Sequence, residues 1–99
     1  MWRQGDVLIR EVESIPRAAI KRPDRVLVEG TVTGHRHEIS PKADAALFEL
    51  EGAVYLRVFG KRADVVHAEH GTISLEKGMY FIWRQREYIG QGRVQPVLD

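Results

Sequence analysis

The strongest strand signal in the chain is the stretch MYFIWRQREY at residues 79–88. Its residues Met79, Phe81 and Trp83 stand at alternate positions, and successive side chains of a β-strand point to opposite faces of the sheet. We therefore expect these three side chains on one face, with Phe81 in the core and Trp83 partly exposed at the polar end. The stretch predicts the longest β-strand of the protein.

Similar strand patterns recur at short intervals along the rest of the chain, separated by glycine and proline residues. They lie at residues 6–12, 25–29, 47–50, 53–59, 64–69, 72–76 and 93–95. Short strands at such spacing predict an all-β fold, a small antiparallel barrel or sandwich of about seven to nine strands. Closure of the sheet would leave no strand edge exposed. We expect a single β domain over residues 1–99.

Three glycine-containing dipeptides are expected to be turns between these strands. They are Glu51-Gly52, Gly60-Lys61 and Lys77-Gly78. The best helix-forming stretch follows Ser40-Pro41 and covers residues 42–47, where lysine, alanine and leucine have high helix propensity. At most one short helix is therefore expected, near residues 42–47.

The composition limits the classes of function. The chain has 99 residues, of which 43% are hydrophobic and 29% charged, as in an ordinary globular domain. Its 15 basic and 14 acidic residues leave a net charge of +1, whereas dedicated nucleic-acid binders usually carry a clear basic excess. The expected partner is therefore a small ligand or a protein, with nucleic acid as the less favoured alternative. A domain of this size has a modest core, which a bound metal or oligomerisation would stabilise.

Features that the sequence lacks exclude further classes. The chain has no cysteine, which excludes disulfides, thiolate metal sites and cysteine nucleophiles. No segment approaches the roughly 20 apolar residues of a membrane helix, and the first residues lack the apolar run of a signal peptide. We therefore expect no membrane partner and a cytoplasmic location. No serine stands in a nucleophile elbow, so the sequence identifies no catalytic residue.

All four histidines lie in two short pairs, in GHRHEI at residues 34–39 and in VVHAEHG at residues 65–71. In a strand, His35 and His37 would share one face, with Cα atoms about 6.5 to 7 Å apart. Two imidazoles at this spacing can bind one metal ion, with each nitrogen about 2.0–2.1 Å from it. His67, His70 or both would complete the site, and His70 would join His67 if the chain bends at Gly71.

The carboxylates beside the histidines have three roles open to them. Glu38 and Glu69 would act as an additional metal ligand, as a hydrogen-bond partner of an imidazole, or as a general base. With imidazole and carboxylate ligands alone, the expected divalent metals are zinc, iron, manganese, nickel and copper. Two alternatives stay open: a hydrogen-bonded histidine cluster without metal, and separate surface histidines.

Basic and aromatic residues indicate two further modes of binding. Arg36 and Arg86 would anchor a small acidic ligand in a histidine-lined pocket. Arg84, Arg86 and Tyr88, next to Trp83, would form the aromatic and basic surface of a non-catalytic interaction module that binds a protein or nucleic acid. These modes stand beside the metal site as alternatives.

The chain resembles a family of small bacterial and phage proteins with no assigned activity. The resemblance includes RQGDV near the start, TGHRHEI, VVHAEHGTISLEKGMY and RQREY, and so covers most of the chain. The matching positions are Gly34, His35, His37, His67, Glu69, His70, Gly78, Gln85, Arg86, Glu87 and Tyr88. It implies a small all-β protein with a histidine motif and no particular reaction.

A second resemblance is to the first metal-binding motif of the cupins. In GTVTGHRHEI, Gly30 matches the motif glycine, and His35 and His37 match its histidine pair on a strand. The sequence departs from the cupin pattern because Glu38 follows His37 directly and no second cupin motif is present. The resemblance implies a metal site carried on strands and does not extend to the fold.

Overall fold

The computed structural model describes the backbone of residues 1–29, 36–89 and 93–96, and the side chains of residues 1–28 and 36–85. Within these ranges the chain forms ten β-strands and no helix, and so none that is long and apolar enough to span a membrane. The strands are β1 (Trp2–Gln4), β2 (Val7–Val12), β3 (Ile20–Lys21), β4 (Val26–Glu29), β5 (Arg36–Ile39), β6 (Ala45–Leu50), β7 (Ala53–Val66), β8 (Ile73–Arg84), β9 (Arg86–Ile89) and β10 (Arg93–Pro96).

Eight of the strands form one antiparallel sheet. Its order is β1-β2-β8-β7-β5-β4, while β6 pairs with the first half of β7 and β3 pairs with β6. The strands β9 and β10 pair in a separate two-stranded sheet. The prediction of an all-β antiparallel fold is confirmed. Among the described residues no ladder closes the larger sheet, so the architecture is that of an open barrel or sandwich.

The two longest strands, β7 and β8, pass straight through two of the predicted turns. Gly60-Lys61 lies inside β7 and Lys77-Gly78 lies inside β8. The register shifts at this level, because Val58 pairs with Gly78 and Arg62 with Glu76, which leaves extra residues on β7 as in a β-bulge. The prediction of two turns was therefore wrong: both dipeptides lie within paired strands, at a shift in their register. The predicted strand at residues 79–88 begins earlier, at Ile73, and ends at Arg84.

The segment expected to contain a short helix near residues 42–47 is not helical. Ala45–Leu50 is strand β6, which pairs along its whole length with the start of β7. The two strands are joined by the two-residue loop Glu51-Gly52, with φ values of 49° and 85°. Two central residues of positive φ are typical of a type I′ turn, whose twist matches that of a hairpin. Hydrogen bonding with β7 outweighs the local helix propensity of this segment. The turn predicted at Glu51-Gly52 is confirmed.

The core lies on one face of the central strands. Large buried side chains on this inner face include Ile9 of β2, Leu56 of β7, and Tyr80 and Ile82 of β8. Trp2 packs edge-on against Tyr80, with ring centroids 5.6 Å apart. Phe81, expected in the core, lies between Tyr80 and Ile82 in the sequence and therefore points to the outer face, where it is half-buried. Both faces of β8 carry apolar residues, so alternation alone does not identify the inner one.

Candidate functional site

Four polar residues are buried where the inner face of the sheet ends. Among the described side chains, Gln4, Asp6, His37 and His67 are the buried polar ones, with exposed fractions of 2%, 1%, 0% and 9%. Strand β1 carries Gln4, the β1–β2 turn carries Asp6, and β5 carries His37. His67 directly follows β7. Buried polar groups cost free energy unless they are paired, so the contacts among these four residues define the site.

Gln4 ties β1 to the far side of the sheet. Its amide Nε2 donates to the carbonyl oxygens of Val65 at 2.9 Å and Gly71 at 2.8 Å, which uses both of its hydrogens. The amide orientation is thereby fixed, and Oε1 faces Nδ1 of His37 at 2.9 Å. Because Oε1 can only accept, Nδ1 of His37 carries the proton and donates it.

Asp6 lies between a guanidinium and an imidazole. Its Oδ2 is 2.8 Å from Nε of Arg84, and its Oδ1 is 3.7 Å from Nε2 of His37. The backbone carbonyl of Asp6 accepts a hydrogen bond of 2.7 Å from the amide of Gln85. A fully buried carboxylate is strongly favoured only beside a cation or several donors, and Arg84 provides that cation.

His67 shapes the turn that follows β7. Its Nδ1 accepts hydrogen bonds from the backbone amides of Glu69 at 3.0 Å and His70 at 3.3 Å. Backbone amides can only donate, so Nδ1 is unprotonated and the neutral ring carries its hydrogen on Nε2. The side chain therefore stabilises the turn as an aspartate or asparagine does in an Asx turn.

Three imidazole rings meet at this place. The ring centroids of His37 and His67 are 4.3 Å apart, those of His67 and His70 are 4.5 Å apart, and those of His37 and His70 are 6.1 Å apart. The His37 and His70 rings are nearly parallel, with an interplanar angle of 9°. Nε2 of His70 is buried and has no hydrogen-bond partner in the described part of the chain. His35, the fourth predicted ligand, lies outside the described residues.

Neither of the carboxylates predicted beside the histidines is fully buried with the rings. Glu38 alternates with His37 along β5 and is half-buried on the opposite face of the strand. Glu69 is exposed, and it is its backbone amide that contacts His67. Among the described side chains, no three histidine, aspartate or glutamate residues are arranged to hold a metal ion.

The basic residues predicted to contact a ligand or partner do not share one surface. Arg36 is exposed on the face of β5 opposite to His37, whereas Arg84 reaches inward to Asp6. Arg86 and Tyr88 belong to β9, for which the backbone alone is described.

Sequence reasoning missed Gln4 and Asp6, which hold the site together. Both flank Gly5, whose φ of 60° marks the β1–β2 turn. Gln4 and Val7 pair across this turn, so only Gly5 and Asp6 form its loop. A polar residue on each side of a glycine near a chain end ordinarily indicates an exposed turn. The signal available was the QGD triplet inside a segment that matched the family pattern.

Comparison with known proteins identifies the family of this chain. No curated protein and no solved structure matches the chain. A protein-family model described as a domain of unknown function, DUF8820, matches residues 3–85. This span contains every described residue of the site, from Gln4 to Arg84. The chain therefore belongs to the DUF8820 family.

Proposed function

We propose that this domain binds a divalent transition-metal ion where the three imidazole rings meet. His37 and His70 act as ligands, and His35 acts as the further ligand that the His-x-His motif predicts. The observation that carries the proposal is the buried Nε2 of His70, which has no hydrogen-bond partner in the described part of the chain. Leaving a buried polar atom unpaired costs about 1–3 kcal/mol, and a bound ion removes that cost.

The hydrogen bond between Gln4 and His37 supports this role for His37. A metal-bound histidine usually donates its second ring N–H to an oxygen, which fixes the tautomer and the ring orientation. Nδ1 of His37 donates to Oε1 of Gln4, so Nε2 is the nitrogen that coordinates. The buried carboxylate of Asp6, 3.7 Å from this Nε2, adds a negative charge that favours a cation nearby.

His67 has a different role in this proposal. A lone pair of its Nδ1 is already engaged by two backbone amides, so coordination through Nε2 would require the ring to lose its only proton. His67 instead holds the turn that carries His70. The metal site is thereby reduced from four candidate histidines to His35, His37 and His70, with ligand chemistry that suits zinc, iron, manganese, nickel or copper.

The test uses protein prepared without a histidine tag. The chain is stripped with a chelator and titrated with Zn²⁺, Ni²⁺ and Cu²⁺ in turn, with calorimetry and elemental analysis as readouts. We expect one ion per chain and a higher melting temperature with metal. His70→Ala should weaken binding by at least about tenfold, whereas Glu69→Gln, a change at an exposed neighbour, should not alter it.

Two results would contradict the proposal. One is a wild-type protein that binds no ion and melts at the same temperature with and without metal. The other is a His70→Ala variant that binds metal as tightly as the wild type.

A further inference from the structure

The outer face of the sheet, opposite the core, carries a continuous row of aromatic and basic side chains. Residues directly opposite each other in antiparallel strands point to the same face, so the strand registers define the row. Crossing β2, β8, β7, β6 and β3, it consists of Arg10, Phe81, Tyr55, Phe48 and Lys21. Three aromatic rings thus lie between a cation at each end.

Neighbouring positions extend this row into a surface. Trp83 stands two residues from Phe81, and their rings stack with centroids 5.4 Å apart and an interplanar angle of 16°. The Tyr55 ring lies 5.4 Å from Phe81 on its other side. The guanidinium of Arg10 lies over both Phe81 and Trp83, at 5.7 Å and 5.9 Å from the ring centroids. We call this surface the aromatic face; it comprises Arg10, Lys21, Phe48, Tyr55, Arg57, Phe81 and Trp83.

The charges on the aromatic face are all of one sign. At the outward positions of the strand segments that form it, the charged residues are Arg3, Arg10, Lys21 and Arg57, all exposed. The adjacent carboxylates Glu11 and Glu49 alternate with outward residues and therefore belong to the opposite face. A chain with a net charge of only +1 thus places these four cations on the same face as a group of half-buried rings.

We infer that the aromatic face binds single-stranded nucleic acid. Bases stack on aromatic rings and on guanidinium planes, and basic side chains around them neutralise the phosphates. Adjacent strands are about 4.8 Å apart, so an oligonucleotide that crosses the strands meets one ring on each of β8, β7 and β6. A groove of about 290 Å³ lies beside Arg10, Tyr55 and Phe81. Its walls can contact the edge of one base while an aromatic ring stacks on the flat side of that base.

The same geometry favours single strands over duplexes. Stacking on the rings requires bases whose flat sides are free, which a duplex does not offer. Sequence preference should be weak, since every base has a flat aromatic surface and stacking does not distinguish strongly among them.

The experiment measures fluorescence anisotropy of a labelled oligothymidylate of about 16 nucleotides, the upper end of the site sizes of small β domains. We expect saturable binding at low salt that weakens as salt rises, and weaker binding of a duplex of equal length. Tyr55→Leu and Trp83→Leu should each weaken binding by roughly 5- to 100-fold, because stacking of one base contributes about 1–3 kcal/mol.

Charge variants distinguish binding at the aromatic face from non-specific electrostatic attraction of the oligonucleotide to the protein. Arg10→Gln should weaken binding and reduce the salt slope by about 0.7, the contribution of one phosphate contact. Arg62→Gln removes the same charge from an exposed position of β7 beyond the bulge, away from the aromatic face, and should have little effect. Binding by each variant is measured at the same interval below that variant's own melting temperature. Binding should be the same with and without chelator, since the inference does not depend on a metal.

Three outcomes would overturn the inference. The first is an oligonucleotide affinity that is unchanged in Tyr55→Leu, Trp83→Leu and Arg10→Gln. The second is an equal loss of affinity in Arg62→Gln and Arg10→Gln, or a duplex bound as tightly as the single strand. The third is self-association, measured by light scattering, that Trp83→Leu abolishes in a protein that binds no oligonucleotide, which would identify the face as a contact between two copies.

Discussion

The imidazole of His37 and the amide of Gln4, 33 residues apart in the chain, are joined by a buried hydrogen bond of 2.9 Å. This bond connects β5 to β1, two strands at different positions in an open sheet. The same amide reaches Val65 and Gly71, so one side chain links β1 to β5, to β7 and to the loop after β7, whereas the described ladder of β1 is with β2. It also fixes which nitrogen of His37 carries the proton. Stability and the chemistry of the site therefore depend on the same residue.

Replacing Gln4 should destabilise the fold. Gln4→Leu keeps an apolar side chain of similar size but leaves Nδ1–H of His37 and the Val65 carbonyl unpaired in a buried place, at a cost of about 1–3 kcal/mol for each group. We expect the free energy of unfolding to fall by about 2–4 kcal/mol, measured by urea denaturation. Lys42→Gln, at an exposed position, should change it by less than about 0.5 kcal/mol. Equal stability of Gln4→Leu and the wild type would contradict this account of the site.

The ion pair between Asp6 and Arg84 should show strong coupling. Asp6→Asn leaves the Arg84 guanidinium, which has only 15% of its side chain exposed, beside an uncharged amide. Removal of one partner of a buried pair typically costs about 3–5 kcal/mol. Because the second substitution then removes a charge that has already lost its partner, Asp6→Asn combined with Arg84→Gln should be far less destabilising than the sum of the two. Strictly additive losses in a double-mutant cycle would show that the two side chains act independently.

The turn after β7 should depend on an acceptor at position 67. His67→Ala removes the acceptor for the amides of Glu69 and His70 and should lower the free energy of unfolding by about 1–2 kcal/mol. His67→Asn supplies a side-chain oxygen that can accept from the backbone two residues on, so it should recover part of that loss. Hydrogen exchange of the two amides gives a local readout: fast in His67→Ala, slower in His67→Asn. Equal exchange rates in both variants would exclude this role.

Tyr80 gives the fold a dependence on alkaline pH. Burial raises the pKa of its phenol above the ordinary value of 10.0, and the nearby carboxylates Glu11 and Glu76 raise it further. The fold thus favours the protonated phenol, whose hydroxyl donates to the Glu76 carbonyl at 2.6 Å. The resulting stabilisation is complete below about pH 10, the pKa in the unfolded chain, and is lost as the pH rises through the higher pKa of the folded state.

Tyr80→Phe provides the matched variant for this dependence. It lacks the titrating group, so its free energy of unfolding should decline less steeply above about pH 10 than that of the wild type. At neutral pH it should be somewhat less stable, since the Glu76 carbonyl loses its donor. Denaturation curves over a series of alkaline buffers measure both effects. Parallel pH profiles would show that another group causes the alkaline loss.

The sequence predicts the class of fold because strand alternation is a local signal, and the hairpin at Glu51-Gly52 because the turn is local too. It does not separate a turn from a bulge at Gly60 or Gly78, since glycine interrupts a strand pattern in both. The segment 45–50 resembles a helix until its pairing with β7 is known. That pairing depends on distant residues, which local propensity does not include.

The sequence likewise predicts only part of the candidate site. The two histidine pairs are visible in the sequence, and their spacing raises the question of a shared site. Gln4 and Asp6 are not visible as members of it, because polar residues around a glycine are ordinarily exposed. Their burial results from the way β1 and the β1–β2 turn lie against β5 and β7. The opposite roles of His37 and His67 depend on hydrogen-bond partners that no spacing rule predicts.

The Glu51-Gly52 turn offers a substitution that should stabilise the protein. Glu51 has a φ of 49°, a left-handed conformation that costs most side chains about 1 kcal/mol, whereas asparagine tolerates it and is preferred in type I′ turns. Glu51→Asn should therefore raise the free energy of unfolding by about 0.5–1 kcal/mol. Gly52→Ala should lower it, because its φ of 85° is unfavourable for any residue with a Cβ, although no atom crowds that position.

The pair of variants separates backbone strain from packing at this turn. Both positions are exposed in the hairpin loop, so neither substitution changes the core or the aromatic face. Opposite signs of the two stability changes, measured by urea denaturation, would follow from the positive φ values alone. If Gly52→Ala were as stable as the wild type, the left-handed turn would carry no energetic constraint, and the register of β6 against β7 would have to be set by the cross-strand pairs instead.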